Sequence, residues 1–243
     1  MTASVLTRTP DLAALRRLAD LDDVEFGVRL LAGTPTHEGR DPALLRQWAR
    51  AAAEFGAALA PVACVADVVE SDGGLEMGLL ARYTSRPDAI ELFTDTIAAA
   101  DGLAERLGWR DWYPAGSVRA AAVAHEAAHA RLHHGPAKAE LRRTLGHVVL
   151  RLGSRRWYGH VAGADEIAAH AYARTVCGLG RSPLLLTAAL AEWVTASPQT
   201  RAPGATTPQS RTPQTRTPQS RTPQTRTPQT RTPRRRTPHG REK

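Results

Sequence analysis

Residues 117–134 read SVRAAAVAHEAAHARLHH, and this alanine-rich stretch is the most informative part of the chain. Ser117 is a good N-cap, Gly135-Pro136 is a strong helix stop, and no proline or glycine interrupts the residues between them. We therefore predict one long helix here. His125 and His129 are four residues apart, so a helix places both imidazoles on one face, one turn from each other. That face carries the apolar stripe and should point inward.

The pentapeptide His125-Glu126-Ala127-Ala128-His129 is the H-E-x-x-H arrangement of zinc peptidases. Two imidazoles on one helical face can bind one metal ion, and the adjacent carboxylate can accept a proton from a water held by that ion. We expect His125 and His129 to bind Zn²⁺ and Glu126 to act as the general base. The alternative is a core helix whose histidines bond to neighbours, but buried imidazoles without a partner cost free energy.

A catalytic zinc ion takes three protein ligands and keeps a fourth position open for water. The best third ligand is Glu166, in a second predicted helix over residues 163–180, GADEIAAHAYARTVCGLG. A first-turn glutamate that is simply favoured by the helix dipole is the ordinary alternative. His170, one turn beyond Glu166, ranks second as a ligand. His133 ranks third, because three ligands at successive turns of one helix span about 12 Å.

In hydrolysis the tetrahedral oxyanion needs a hydrogen-bond donor besides the metal. The polar candidates near the second helix are Tyr158, His160, His170 and Tyr172. The sequence does not choose among them.

The segments Ala124-His125-Glu126-x-x-His129 and Glu166-x-x-Ala169-x-x-Tyr172-Ala173 follow a short predicted hairpin. In this order the chain resembles the ImmA/IrrE-type metallopeptidases and the related peptidase domains of antirestriction proteins, over about residues 60–195. The resemblance implies an α+β, mostly helical zincin-like domain with a small antiparallel sheet. It also implies zinc held by His125, His129 and Glu166, with Glu126 as base. The implied substrate is an intracellular protein or peptide, with transcriptional regulators among the candidates.

The chain departs from the family pattern in three places. Ala127-Ala128 stands where the family has a bulky residue followed by a small one, and Ala120-Ala121-Ala122-Val123 replaces an aromatic-threonine-leucine run. The interval between His129 and Glu166 is long for the family, and we expect residues 137–152 to form an extra helix within it.

Between residues 61 and 94 the pattern changes from helix to strand. Residues 79–84 and 89–93 flank Ser85-Arg86-Pro87-Asp88, which is a good hairpin turn. A strand beside the motif helix can hold substrate backbone by edge pairing, so this hairpin is a candidate substrate surface. The alternative is that the hairpin only covers the helices and does not contact substrate.

The chain divides into three predicted parts. Residues 1–60 form a helical N-terminal extension with helices over 11–19 and 42–59, and residues 61–197 form the zinc metallopeptidase-like domain. Residues 198–243 form the third part, in which an R-T-P-Q-[ST] repeat recurs every five residues from 211 to 230 and then decays. Regular proline without large apolar residues cannot build a core, so we predict a disordered tail.

The tail also accounts for the charge of the chain. Residues 198–243 hold eleven basic and one acidic residue, out of 32 and 24 in all. The first 197 residues therefore hold 21 basic and 23 acidic residues, a net charge of −2. The cationic tail is a candidate for weak, salt-sensitive contact with nucleic acid or an acidic partner.

The remaining observations concern location and the competing functions. No apolar run is long enough for a transmembrane helix, the start of the chain lacks a signal-peptide pattern, and Cys64 and Cys177 read as free thiols. We therefore expect a cytoplasmic protein. One Lys before the tail against many Arg and Ala residues is typical of a GC-rich bacterial genome. The leading hypothesis is zinc-dependent hydrolysis of an intracellular protein. The alternatives are a non-catalytic metal-binding regulatory protein and a nucleic-acid-associated protein that acts through its tail.

Overall fold

The computed structural model describes residues 11–61, 66–133 and 136–196. The helices are α1 (Leu12–Arg17), α2 (Asp23–Ala32), α3 (Pro42–Ala58), α4 (Gly74–Met77), α5 (Thr94–Leu107), α6 (Ser117–His133), α7 (Pro136–Leu145), α8 (Ala164–Val176) and α9 (Pro183–Ala196). The strands are β1 (Asp67–Ser71), β2 (Ala81–Ser85), β3 (Asp88–Phe93), β4 (Val148–Leu152) and β5 (Arg155–Tyr158). The predicted α+β, mostly helical class is confirmed. The predicted tail and Cys64 lie outside the described residues.

Both helices that the sequence analysis assigned to the site are present. The first, α6, begins at Ser117 as predicted and ends at His133. The second, α8, follows Gly163 and ends just before Gly178, and both glycines have positive φ, which favours residues without a Cβ. Alanine is the most frequent residue in both helices, and it combines high helix propensity with a small side chain. Two such helices can therefore approach each other closely.

Helix α8 packs against both α3 and α6. Ala168, Ala169 and Ala173 on α8 are fully buried. A Cβ at Gly56 of α3 would lie only 2.7 Å from the Cα of Ala168, so the two helices meet at a point where no larger residue fits. This close packing sets how far the residues of α8 reach toward α6.

The first sheet has the strand order β1-β3-β2 and is mixed, because the predicted small antiparallel sheet gains one parallel strand, β1, that the prediction did not include. Strands β2 and β3 form the predicted antiparallel hairpin, with Tyr83 opposite Ile90. Strand β1 adds to the other edge of β3 in parallel. Ile90 and Leu92 of β3 are fully buried, and a central position pairs both edges of this apolar strand.

The predicted extra helix over residues 137–152 is correct for its first half and wrong for its second. Helix α7 ends at Leu145, and residues 148–152 form β4, which pairs antiparallel with β5. Gly146, with a φ of 66°, ends the helix, and the run Val148-Val149-Leu150 that follows favours a strand because of its branched side chains. The interval between α6 and α8 therefore contains a helix and a hairpin.

Apart from the core between α3 and α8, an apolar cluster packs around α5 and α9 and includes Leu103, Leu185 and the buried Tyr113. The Tyr113 hydroxyl donates a hydrogen bond of 2.7 Å to the backbone carbonyl of Ser182. Within the described residues, the model contains no helix both long and apolar enough to cross a membrane.

Candidate metal centre

Helices α6 and α8 bring three residues that were predicted as ligands into one cluster. The Nε2 atom of His129 lies 3.0 Å from Nε2 of His125 and 3.0 Å from Oε2 of Glu166. The Nε2 atom of His125 lies 3.4 Å from Oε1 of Glu166. The two histidine side chains are 13% and 14% exposed and the Glu166 side chain is 37% exposed, so the histidines are largely shielded while the cluster remains accessible to solvent.

The donor set fits a divalent transition metal. Atoms that share one tetrahedral zinc ion at bonds of about 2.0–2.1 Å lie about 3.4 Å apart, close to the separations in this cluster. Two imidazoles and one carboxylate are also the ligand set of one class of catalytic zinc sites. Other divalent first-row metals accept the same donors, so the geometry indicates a metal site without selecting the metal.

Burial and mutual hydrogen bonding set the protonation of the cluster. Burial lowers the pKa of His125, which favours the neutral imidazole that can bind a metal. Burial also acts to lower the pKa of His129, but the hydrogen bond and charge of Glu166 outweigh it and raise that pKa. For Glu166, burial acts to raise the pKa, yet hydrogen bonds from the surrounding histidines hold it far below its usual range. Glu166 is therefore anionic, the form in which a carboxylate can bind a metal.

His170 contacts Glu166 from one turn further along α8. Its Nε2 lies 3.1 Å from Oε1 of Glu166, and its side chain is 8% exposed. It does not join the mutually close group of ligand atoms formed by His125, His129 and Glu166. His170, which ranked second as a ligand, therefore lies where it can orient the carboxylate of Glu166, which ranked first.

Glu126, the predicted general base, is held by the first sheet. Its Oε2 accepts a hydrogen bond of 2.9 Å from the backbone N–H of Tyr83. Tyr83 lies in β2, an edge strand that pairs with β3 on its other side. The motif helix and the predicted hairpin are therefore neighbours, joined at the residue proposed as the base.

One cavity of about 880 Å³ contains the whole arrangement. The metal-type cluster and Glu126 line one wall, and residues of β2, among them Ala81, Tyr83 and Ser85, line another. Most of the remaining lining is apolar and includes Val118, Leu179, Leu184 and Leu186, while His133, Lys138 and Thr187 add polar groups. The cavity therefore combines the His–Glu cluster and Glu126 with an apolar surface.

The other predicted site residues lie in different places. Tyr172 is buried at 1% exposure in the core beside α3, Tyr158 is half-buried on β5, and His160 is exposed; these three do not line the cavity. Of the four candidate oxyanion donors, His170 alone lines it. His133, the third-ranked ligand, lies at the cavity wall and is exposed.

Two contributions escaped the sequence analysis. The Tyr83 N–H has no residue signature, because a backbone donor can belong to any residue except proline. Asp165 lies near His129 and His133, and its position next to Glu166 on α8 is the signal that could have identified it.

No family model matches this chain, and no curated protein or solved structure shows significant similarity to it. The side chains of the cluster and the cavity around them are therefore the features that indicate a function.

Proposed function

We propose that this chain is a zinc-dependent peptidase of the H-E-x-x-H type that cleaves a protein inside the cell. The observation that carries the proposal is the presence of the His125, His129 and Glu166 cluster and the Glu126 carboxylate in one cavity. Kinship with the ImmA/IrrE-type metallopeptidases is part of the proposal and rests on the motif residues. A transcriptional regulator as the substrate follows from that kinship alone.

His125, His129 and Glu166 would hold the ion. Zinc, when bound, would act as a Lewis acid that lowers the pKa of a bound water toward neutrality and polarises a peptide carbonyl. Glu126 is placed to move the proton: Tyr83 holds its Oε2, and Oε1 remains to accept a proton and pass it to the leaving amine. His170 keeps the Glu166 carboxylate in position through their 3.1 Å contact.

The walls of the cavity favour an extended peptide as the substrate. Hydrogen-bonding direction alternates along an antiparallel strand, so Ala81 and Ser85 direct their backbone groups to the same side as Tyr83, away from β3. All three residues line the cavity. An extended peptide that pairs with this edge brings its backbone beside Glu126 and its apolar side chains against Leu184 and Leu186.

Glu126→Gln tests catalysis, with Glu192→Gln on the exposed face of α9 as the matched control. We expect Glu126→Gln to keep the metal content of the wild type and to lose about 100-fold or more in peptide turnover, because a general base contributes that much. The control should keep both properties. Equal turnover in Glu126→Gln and wild type would contradict the proposal, and zinc binding without turnover of any peptide would favour the regulatory alternative.

Metal content tests the ligand set independently of turnover. After dialysis that removes weakly bound metal, mass spectrometry should find one zinc per chain in the wild type and little in His129→Ala and Glu166→Ala, because each change removes a donor. A folded wild type that takes up no zinc when zinc is supplied would rule out the metal centre and the peptidase with it.

A further inference from the structure

A second group of metal-type donors adjoins the first. One ligand atom from each of His129, His133 and Asp165 lies within 4.8 Å of the other two. His133 follows His129 by one turn of α6, and the two rings stack with centroids 5.6 Å apart and planes 26° from parallel. Asp165 immediately precedes Glu166 on α8. The same two helices therefore build both groups, and His129 belongs to each.

The second group is more open to solvent than the first. The difference lies in the histidines that the groups do not share, because His133 is exposed whereas the His125 side chain is 13% exposed; the carboxylates Asp165 and Glu166 are both half-buried. His133 also lines the cavity that contains the first group. An ion that enters from solvent through this end of the cavity meets the exposed donor before it meets the shielded ones.

The His129 ring has one nitrogen uncommitted. Its Nε2 faces His125 and Glu166, while its Nδ1 is buried and has no hydrogen-bond partner among the described residues. A histidine that binds a metal through one nitrogen almost always donates a hydrogen bond through the other. No second hydrogen bond therefore holds the His129 ring toward the first group, so this imidazole can share an ion with the ligands of either group.

We propose that His129, His133 and Asp165 form an outer site for a divalent transition-metal ion such as Zn²⁺, from which the ion passes to the inner site. Because His129 is common to both groups, the ion can exchange the other two donors without releasing that imidazole. Two imidazoles and a carboxylate suit zinc, and the greater exposure of the outer donors makes the outer site the weaker one. The inference goes beyond peptide hydrolysis and needs metal binding alone.

The equilibrium test uses a chain in which the inner site is disabled. His125→Ala combined with Glu166→Gln should still bind one zinc ion, and adding His133→Ala should weaken that binding by about tenfold or more. Competition with a chromogenic zinc chelator measures both affinities without any activity assay. Failure of the double variant to bind zinc, or equal affinity with and without His133, would overturn the outer site. A failure of peptide turnover would leave this result untouched.

A kinetic test in the otherwise intact chain covers the case in which the double variant does not fold. Stopped-flow mixing of metal-free protein with zinc should show uptake several-fold slower in His133→Ala and in Asp165→Asn, with an unchanged equilibrium affinity of the inner site. His160→Ala and Glu140→Gln, which change an exposed histidine outside the cavity and an exposed carboxylate on α7, are the matched controls. Uptake at the wild-type rate in both test variants would overturn the transfer from outer to inner site.

Discussion

Gly56→Ala should separate α3 from α8 and disturb the metal centre from a distance. Gly56 is buried near the end of α3 and faces the backbone of α8. An alanine Cβ there would lie 2.7 Å from both the Cα and the carbonyl carbon of Ala168, and closer still to its carbonyl oxygen. Backbone atoms cannot rotate away from a clash, so the helices themselves must move.

The distances set the size of the effect. Carbon atoms in contact lie about 3.5–4.0 Å apart, so the helices must separate by about 1 Å. Overpacking of a core costs about 1–3 kcal/mol, and we expect about 3 kcal/mol because the obstacle is backbone. Functional side chains tolerate displacements of about 0.5 Å, so a shift of α8 that moves Glu166 from its 3.0 Å contact with His129 should also weaken zinc binding.

Gly102→Ala in the interior of α5 is the matched control. A Cβ at that position would meet no atom within 4 Å, so the same substitution should stabilise the protein by about 0.5–1 kcal/mol through helix propensity. Urea unfolding followed by circular dichroism, on metal-free protein and with linear extrapolation, compares the free energies of unfolding. A Gly56→Ala protein as stable as wild type, with unchanged zinc affinity, would refute the argument from close packing.

Three further predictions concern single side chains. Asp95 accepts hydrogen bonds from three consecutive backbone N–H groups at residues 73–75, and although burial acts to raise its pKa, these bonds outweigh burial and lower it. Its stabilising effect is therefore present above the unfolded pKa of about 4 and is lost as the pH falls toward the lower folded pKa. Asp95→Ala should cost about 2 kcal/mol at pH 7 in urea unfolding, and the difference from wild type should shrink below about pH 4; a constant difference would contradict this account. Tyr113→Phe leaves a buried carbonyl without its donor and should cost about 1–2 kcal/mol in thermal unfolding, whereas equal stability would show that the bond contributes nothing. His170→Ala should weaken zinc binding by about tenfold without abolishing it, because this residue orients Glu166; complete loss in a chelator competition would make it a ligand instead.

The sequence predicts the parts of the site that lie within single helices. His125 and His129 are four residues apart, and any α-helix brings such a pair onto one face whatever surrounds it. The bounds of α6 and the β2–β3 hairpin were predictable for the same reason, since caps and turn residues act on their immediate neighbours. The choice of Glu166 over His133 followed from helix geometry as well.

Long-range pairing was less predictable. The parallel addition of β1 to β3 joins strands separated by a helix and another strand, and no local residue pattern specifies it. Strand β4 was missed because it follows α7 after a single short break, where the apolar run fits a helix or a strand. Tyr172 was an oxyanion candidate because it lies on the same helix as Glu166, yet the packing of α8 on α3 turns it into the core.

Local sequence accounts for the two helices, the histidine pair with its adjacent glutamate, and the turn of the hairpin, because these depend on interactions between residues close in the chain. Tertiary packing brings Glu166 to the histidine pair and places the Tyr83 N–H against Glu126. It also decided that Asp165 joins His129 and His133. The physical reason is the close approach of α8 to its neighbours, allowed by Gly56 and buried alanines, which converts residues distant in sequence into one cluster.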